Sequence, residues 1–160
     1  MDGVLFALTL VTALGCGAMG GVFFAFAGFV MQGLRRLPAA QGIAAMQSIN
    51  VTAVTPAFMG ALFGTALACI ALIVAGLTML DEPFAPYLVG GGGLYVVGTI
   101  ALTIAYHVPR NDALAKVDPQ SAGAASTWTR YDAEWTAGNH VRAAAALAAA
   151  TALAVALHLG

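Results

Sequence analysis

The charged side chains of this 160-residue chain fall into a few short clusters, separated by four long stretches that carry no formal charge. With histidine counted as neutral, these stretches are 3–34, 37–80, 83–109 and 143–160. A helix needs about 20 apolar residues to cross the hydrocarbon core of a bilayer. Each stretch has room for one spanning helix, so the sequence predicts an integral membrane protein with four spans.

The predicted fold class is all-α: a four-transmembrane-helix bundle that forms a single domain over residues 1–160. The spans are expected at about 3–33, 50–80, 87–107 and 139–159. Only 8% of the residues are charged and 61% are hydrophobic, whereas roughly a quarter of the residues of a soluble domain are charged. This composition excludes a soluble globular protein. The lipid bilayer is the expected surrounding partner, and no nucleic-acid partner is expected.

The basic residues predict how the chain is oriented in the membrane. They occur only after the first span and around the third connection, whereas the second connection carries Asp81 and Glu82 and no base. The basic residues are Arg35, Arg36, Arg110, Lys116, Arg130 and Arg142. Because basic loops stay on the cytoplasmic side, loops one and three are predicted to be cytoplasmic. Both termini and loop two would then lie outside an inner (plasma) membrane that the chain crosses several times.

Glycine and proline predict how the spans pack. Gly17 and Gly21 have the spacing that lets helix backbones approach closely in lipid, which serves either a homo-oligomer interface or the chain's own bundle. The run 90–93 is expected to contact helix one. Pro56 interrupts the second span, because it cannot donate a backbone hydrogen bond to Thr52.

An amphipathic helix at the inner membrane surface, covering Ser121 to Gly138, is predicted to lead into helix four. One face of this segment carries a stripe of residues at intervals of three and four: Trp128, Tyr131, Trp135, Asn139 and Arg142. On helix three, the same spacing predicts a second polar face, formed by Thr99, Thr103, Tyr106 and Arg110. A helix places residues three and four apart on one side.

Polar side chains from three spans are predicted to converge at the cytoplasmic end of the bundle. The candidates for substrate binding are Gln47, Asn50, Thr55, Tyr106, Arg110, Asn111, Trp128, Tyr131 and Trp135. The candidates for catalysis are His107, Asn139, His140 and Arg142. Ionisable side chains at membrane depth are costly and mark function by default, so the sequence predicts a polar and aromatic pocket that opens inward.

Several of these residues have a second interpretation. The aromatic residues of the stripe could form an interfacial belt, and Arg142 could extend to lipid headgroups. His107 and His140 could bind a metal, but two histidines without fixed spacing are weak support, and no metal site is predicted. Cys16 and Cys69 are expected to be small packing residues.

A resemblance to a known family rests on residues 107–114, which read His-Val-Pro-Arg-Asn-Asp-Ala-Leu, followed by Trp128, Trp135 and the segment 139–142. Together with the stretch 46–50 and Pro56, these residues resemble the anthrone oxygenase-like family of small four-helix membrane proteins. The family pattern has asparagine at the position of His107 and leucine at the position of Arg110.

The resemblance implies an oxidoreductase, a monooxygenase that acts on an activated methylene of a reduced polycyclic phenol without a bound redox cofactor. His140 or His107 would be the base, since histidine titrates near neutral pH. Arg142 and Asn139 would stabilise the enolate oxygen, and Trp135 and Tyr131 would stack on a flat ring.

A second function, from another class, also fits the sequence. Small four-helix membrane proteins serve as accessory or assembly subunits of membrane complexes, or bind a lipid or quinone. The pocket would then hold a headgroup or a partner loop, with Arg142 and Arg110 binding an anion.

Overall fold

The computed structural model describes residues 1–160 and consists of five helices joined by short connections. The helices are α1 (Gly3–Arg35), α2 (Ala39–Thr52), α3 (Pro56–Thr78), α4 (Ala85–Ala115) and α5 (Ala124–Leu159). All except α2 are long and apolar enough to cross a bilayer. The predicted fold class, an all-α bundle with four spans, is confirmed.

The four long helices form a ring in which each packs on two neighbours. α1 packs against α5 and α3, α3 packs against α4, and α4 packs against α5, which closes the ring. The short helix α2 packs against α5 and the last part of α4 at one end. We call this end, where the chain carries Arg35, Arg36, Arg110, Lys116 and Arg130, the basic end.

Two separate groups of buried side chains hold the ring together. The larger group, here the main core, runs along all four long helices and includes Cys16, Cys69, Leu88 and Leu153. The smaller group, here the end core, lies at the basic end. It consists of Met31, Ile43, Met46, Leu114, Ala124, Trp128, Tyr131 and Trp135. Cys16 and Cys69 are free and fully buried, with their sulfurs 3.8 Å apart.

The helix boundaries differ from the predicted spans in two informative places. The chain breaks at 53–55, where the Thr55 side chain caps α3 by accepting a hydrogen bond from the Phe58 amide and Pro56 takes the first helical position. Proline suits that position because its missing N–H would be unpaired anyway. The segment predicted to lead into the fourth span is continuous with it in α5, and its residues Trp128 and Tyr131 are buried against the bundle.

The glycine run of α4 contacts different helices from those expected. A β-carbon at Gly91 would lie 3.1 Å from the Leu153 side chain of α5, and one at Gly92 would lie 2.8 Å from the Cys69 carbonyl oxygen of α3. The expected contact with α1 is therefore wrong, because α1 and α4 lie diagonally opposite in the ring. In α1, a β-carbon at Gly17 would lie 3.9 Å from Ala150 of α5, while nothing lies within 4 Å of one at Gly21.

Both termini and the second connection lie at the end opposite the basic end. The N-terminal ammonium of Met1 donates to the carbonyl oxygen of Gly160 at 3.2 Å, and Phe84 of the second connection lies beside Gly160. This arrangement agrees with an even number of crossings. Which end faces the cytoplasm stays a prediction from the basic residues.

Neighbouring glycines in α4 provide a matched test of this packing. Gly92→Ala should lower the free energy of unfolding by about 1–3 kcal/mol, because the new methyl overpacks against α3. Gly93→Ala should leave it unchanged or raise it by roughly 0.5–1 kcal/mol, because alanine is the better helix former and nothing lies within 4 Å of that position. Thermal unfolding in one detergent measures both, and equal effects would contradict the packing.

Candidate functional site

A cavity of about 520 Å³ lies between the main core and the end core. All five helices contribute to its wall, and 14 of its 21 lining residues are hydrophobic. Ligand sites in proteins are typically this size and mostly apolar, with a few polar groups that fix the ligand's orientation. The chemistry of this cavity therefore depends on its few polar side chains.

Arg142 is the only cation that lines the cavity. Its Nη1 donates to Thr103 Oγ1 at 3.1 Å, its Nη2 donates to Asn139 Oδ1 at 2.6 Å, and its Nε has no hydrogen-bond partner. The guanidinium carbon lies 4.4 Å from the ring centroid of Phe23 and 5.5 Å from that of Trp135. Two hydrogen bonds and two aromatic faces thus hold the guanidinium in one place, while its Nε–H stays without a partner.

No carboxylate compensates the charge of Arg142, although it is 94% buried. The two ion pairs of the protein lie elsewhere: Arg35 Nε is 2.6 Å from Asp132, and Arg110 Nε is 2.9 Å from Glu134. A buried charge without a counter-charge is strongly destabilising, and a guanidinium stays protonated in proteins. The cavity is therefore electrostatically suited to a ligand that carries or develops a negative charge.

His107 is the only histidine that lines the cavity, and it is almost fully buried. Neither ring nitrogen has a hydrogen-bond partner, although buried polar groups nearly always have one. The ring contacts Trp135 edge-on, with centroids 5.2 Å apart, and its Nε2 lies against Gly138. A β-carbon at Gly138 would be 3.0 Å from that nitrogen and 2.5 Å from a ring carbon of Tyr106, so glycine lets both rings pack closely on α5.

Asn111 joins the cavity wall to two aromatic side chains of α5. Its Oδ1 accepts hydrogen bonds from Tyr131 Oη at 2.9 Å and Trp135 Nε1 at 3.0 Å. Both donors are thereby satisfied, which fixes the orientation of the Trp135 ring that faces the cavity. The asparagine thus positions an aromatic wall.

Three π-helical turns interrupt the long helices, and two of them form part of the cavity wall. They cover Phe26–Val30, Val96–Ala101 and Thr103–His107. In the third, the Val108 amide donates to the Thr103 carbonyl, five residues back. The next residue is a proline without an N–H, so the ordinary hydrogen-bond pattern cannot continue there. Such turns are rare in proteins overall, and those that do occur often lie at functional sites.

The π-helical turn changes which residues of α4 face inward. Thr103, His107 and Asn111 line the cavity at intervals of four, because a π turn holds more residues than the 3.6 of an α-helix. The predicted face of Thr103, Tyr106 and Arg110 does contact α5, but beyond Thr103 it does not line the cavity.

The structure brings about half of the predicted site residues to the cavity. Those that line it are Asn50, Thr55, His107, Asn111, Trp135 and Arg142; those that do not are Gln47, Tyr106, Arg110, Trp128, Tyr131, Asn139 and His140.

The predicted residues outside the cavity mostly hold its walls in place. Gln47 Nε2 donates to the carbonyls of Leu114 and Val117, which ties α2 to the third connection. Arg110 pairs with Glu134 and lies 3.4 Å above the ring of Tyr106, and the Tyr106 hydroxyl donates to the Glu134 carbonyl.

The stripe on α5 is buried throughout, but its members lie at different depths. Trp128 and Tyr131 stack on each other in the end core, with centroids 5.9 Å apart. Asn139 lies behind Arg142, because its amide donates to the Phe23 carbonyl at 2.6 Å and its oxygen accepts from the guanidinium. It positions the arginine.

His140 is exposed on the outer side of α5 and does not line the cavity. It follows Asn139 in the chain, and one residue corresponds to a rotation of about 100° around a helix. Since Asn139 is fully buried, this rotation turns His140 outward. The structure therefore leaves His107 as the histidine at the site.

Several cavity residues were not predicted from the sequence. They are mostly apolar or aromatic, for example Phe23 and Phe26 of α1, Met46 of α2, and Phe58 and Met59 of α3. The first span carries no charge, so a search for polar side chains could not find Phe23, which contacts both Arg142 and Asn139.

In a comparison with protein families, the family model described as anthrone oxygenase matches residues 50–152. The chain belongs to the anthrone oxygenase family. Comparisons with curated proteins and with solved structures give no match. The matched range includes every cavity residue from α3 to α5, and the predicted resemblance is confirmed. The chain is thus a membrane protein of the anthrone oxygenase family.

The side chains that could bind a metal ion do not cluster anywhere in this structure. No group of three or more histidine, cysteine, aspartate or glutamate residues comes together. His107 and His140 point to different sides of the bundle wall, since one is buried and the other exposed.

Asn111 provides a test of how the wall is built. Asn111→Leu should lower the free energy of unfolding by about 1–3 kcal/mol, because the buried Tyr131 and Trp135 donors lose their acceptor. Its neighbour Asp112 is exposed and forms no ion pair, so Asp112→Leu should change stability by less than about 0.5 kcal/mol. Chemical unfolding followed by tryptophan fluorescence measures both, and a larger effect at Asp112 would contradict this wall.

Proposed function

We propose that this member of the anthrone oxygenase family oxidises an activated methylene of a flat, hydrophobic phenol, such as an anthrone, with O2 and without a redox cofactor. The methylene becomes a ketone. One oxygen atom of O2 enters the product, and the other leaves as water with the two methylene hydrogens. Four electrons pass from the carbon to O2, so the reaction balances without a further reductant.

The first step is removal of a methylene proton by His107. The carbon is acidified by the ring carbonyl, and the electron pair that remains spreads onto the carbonyl oxygen. Support comes from the imidazole, which lines the cavity and has no hydrogen-bond partner at either nitrogen. A positioned base typically accelerates such a proton transfer by about 10²–10⁴-fold.

Arg142 stabilises the oxygen that becomes negative in this step. Its position is fixed by Asn139 and Thr103 before any ligand binds, and its Nε is free to donate. Preorganised donors in an apolar site are worth far more than the same groups in water, because no water has to reorient. Trp135 and Phe26 provide aromatic surface for the flat rings.

The carbanion then reacts with O2, which dissolves readily in the apolar surroundings of the cavity. One electron passes to O2, and the two radicals combine to form a carbon–oxygen bond. The peroxide takes the proton back from His107. Loss of the second methylene proton together with cleavage of the O–O bond releases water and leaves the ketone.

The observation that carries this proposal is the pairing of a buried, uncompensated guanidinium with an unpartnered imidazole in one apolar cavity. The predicted orientation is part of the proposal: the basic end faces the cytoplasm of a cell whose plasma (inner) membrane holds the protein, with both termini outside.

The two histidines of this region give a matched pair of variants. His107→Ala should reduce oxygen uptake with anthrone by about 10²–10⁴-fold, as expected for loss of a general base. His140→Ala should leave it unchanged, because His140 is exposed outside the cavity. An oxygen electrode and purified protein in lipid nanodiscs give both rates. Full activity of His107→Ala would refute the assigned base.

Arg142→Met separates a functional from a structural role. We expect kcat to fall by about 10²–10³-fold, since removal of one oxyanion donor has this effect in other enzymes. Thermal stability should change little, because removal of a buried, uncompensated charge offsets the loss of the donor to the buried Asn139 oxygen. Loss of stability with little change in kcat would show that the arginine is only structural.

A second function is favoured by the apolar lining of the cavity: a non-enzymatic subunit that binds a lipid or quinone, or assembles with a membrane complex or with a second copy of itself. Purification in mild detergent distinguishes the two. A stoichiometric partner chain or quinone, without oxygen uptake on any anthrone, would favour this function over the oxygenase.

A further inference from the structure

The cavity is closed towards both ends of the bundle. Towards the basic end it is covered by the end core, in which Trp128 and Tyr131 stack and Met31 and Leu114 are fully buried. Towards the other end the main core fills the space between all four long helices. A ligand that enters along the bundle axis would have to displace one of these cores.

The side wall is different, because some of its lining side chains are also exposed on the outer surface. α3 packs on the first part of α4, residues 85–101, but not closely on residues 103–115, which leaves a gap between the two helices there. Five large apolar side chains both line the cavity and are exposed, and four of them belong to the segments that border this gap: Val54, Phe63, Ile104 and Val108. The fifth, Val22, belongs to α1. Val54 is 70% exposed and Ile104 is 57% exposed, so both border the outside.

This gap is expected to face lipid, because it lies between two helices that are long and apolar enough to cross a bilayer. Phe63 is seven residues into the span α3, or about 10 Å along its axis. Ile104 belongs to the charge-free stretch 83–109. α2 ends at Thr52 and α3 begins at Pro56, and the break between them lines the cavity and is partly exposed.

From this arrangement we infer that the ligand of the cavity is a neutral, lipid-dissolved aromatic molecule that enters sideways from the bilayer through the gap between α3 and α4. The apolar rim admits an uncharged molecule, because a charged one at this depth would pay a large desolvation penalty. Negative charge then arises only inside, next to Arg142. The inference rests on the cavity and its surroundings, and it holds whether the ligand is oxidised or merely bound.

The test follows the fluorescence of Trp135, which lines the cavity. The protein carries the substitution Trp128→Phe, so that Trp135 is its single tryptophan. Anthracene dissolved in the bilayer of nanodiscs is the probe, and anthracene sulfonate, added from water, is its charged counterpart. Stopped-flow mixing should show quenching by anthracene at a rate well above that of the sulfonate. Equal rates, or no quenching by anthracene, would overturn the inference.

The gap itself is tested by filling it. Val54→Phe combined with Ile104→Phe should slow quenching by anthracene by about tenfold, because a phenyl group has to be displaced from the opening. The control combines Val74→Phe with Val97→Phe, which also adds two phenyl groups. These positions on α3 and α4 are similarly exposed but do not line the cavity. This control should not change the rate. If both double variants were quenched by anthracene at the same rate, the lateral route would be wrong.

A second measurement needs no change at the gap, in case the filled variant does not fold. Phospholipids with brominated acyl chains should quench Trp135 strongly, since an acyl chain can reach the cavity, whereas aqueous acrylamide should quench it weakly. The reverse order would place the opening on the water side. Lateral access without oxygen uptake would leave this inference standing and remove the proposed oxygenase.

Discussion

The buried guanidinium of Arg142 is the interaction on which the arrangement of the site depends. A positive charge inside a membrane protein is tolerated only if surrounding groups replace its hydration. Here neutral groups do so: a hydroxyl, an amide oxygen and two aromatic faces. Since none of them carries a negative charge, the positive potential in the cavity remains available to a ligand.

The surrounding structure is built so that this charge does not attract a carboxylate from the protein itself. Asp132 and Glu134 lie within ten residues of Arg142 on the same helix, but each is paired with an arginine of another helix. These pairs also fasten α1 and α4 to the first part of α5. The acidic side chains thus stabilise the basic end while the cavity retains its positive potential.

The sequence predicted the span number and the inward stripe of α5 because each depends on one physical rule. Bilayer thickness fixes the length of a charge-free stretch, and helical periodicity places Trp135, Asn139 and Arg142 on one face. All three are buried. The depth of the cavity along that face was not predictable, because it depends on where two cores end, and so Trp128 was wrongly expected at the site.

Partner helices and local helix geometry were likewise beyond the sequence. The glycines of α4 indicate that some backbone approaches closely, but not which one, since close approach depends on the order of helices around the ring. The predicted face of α4 assumed 3.6 residues per turn throughout. The π-helical turn at Thr103–His107 breaks that assumption, and of the four candidates between 106 and 111 only His107 and Asn111 line the cavity.

That wide turn has a consequence for the tolerance of α4 to changes in length. Val108 now donates to the Thr103 carbonyl five residues back, so deleting His107 would turn this bond into the ordinary helical bond to the carbonyl four residues back. The residues beyond the turn would keep their places, and the imidazole would be lost from the wall while the bundle kept its shape. In this helix, therefore, a single-residue deletion could separate folding from chemistry more cleanly than most substitutions, and homologous chains that lack the extra residue would need a different base.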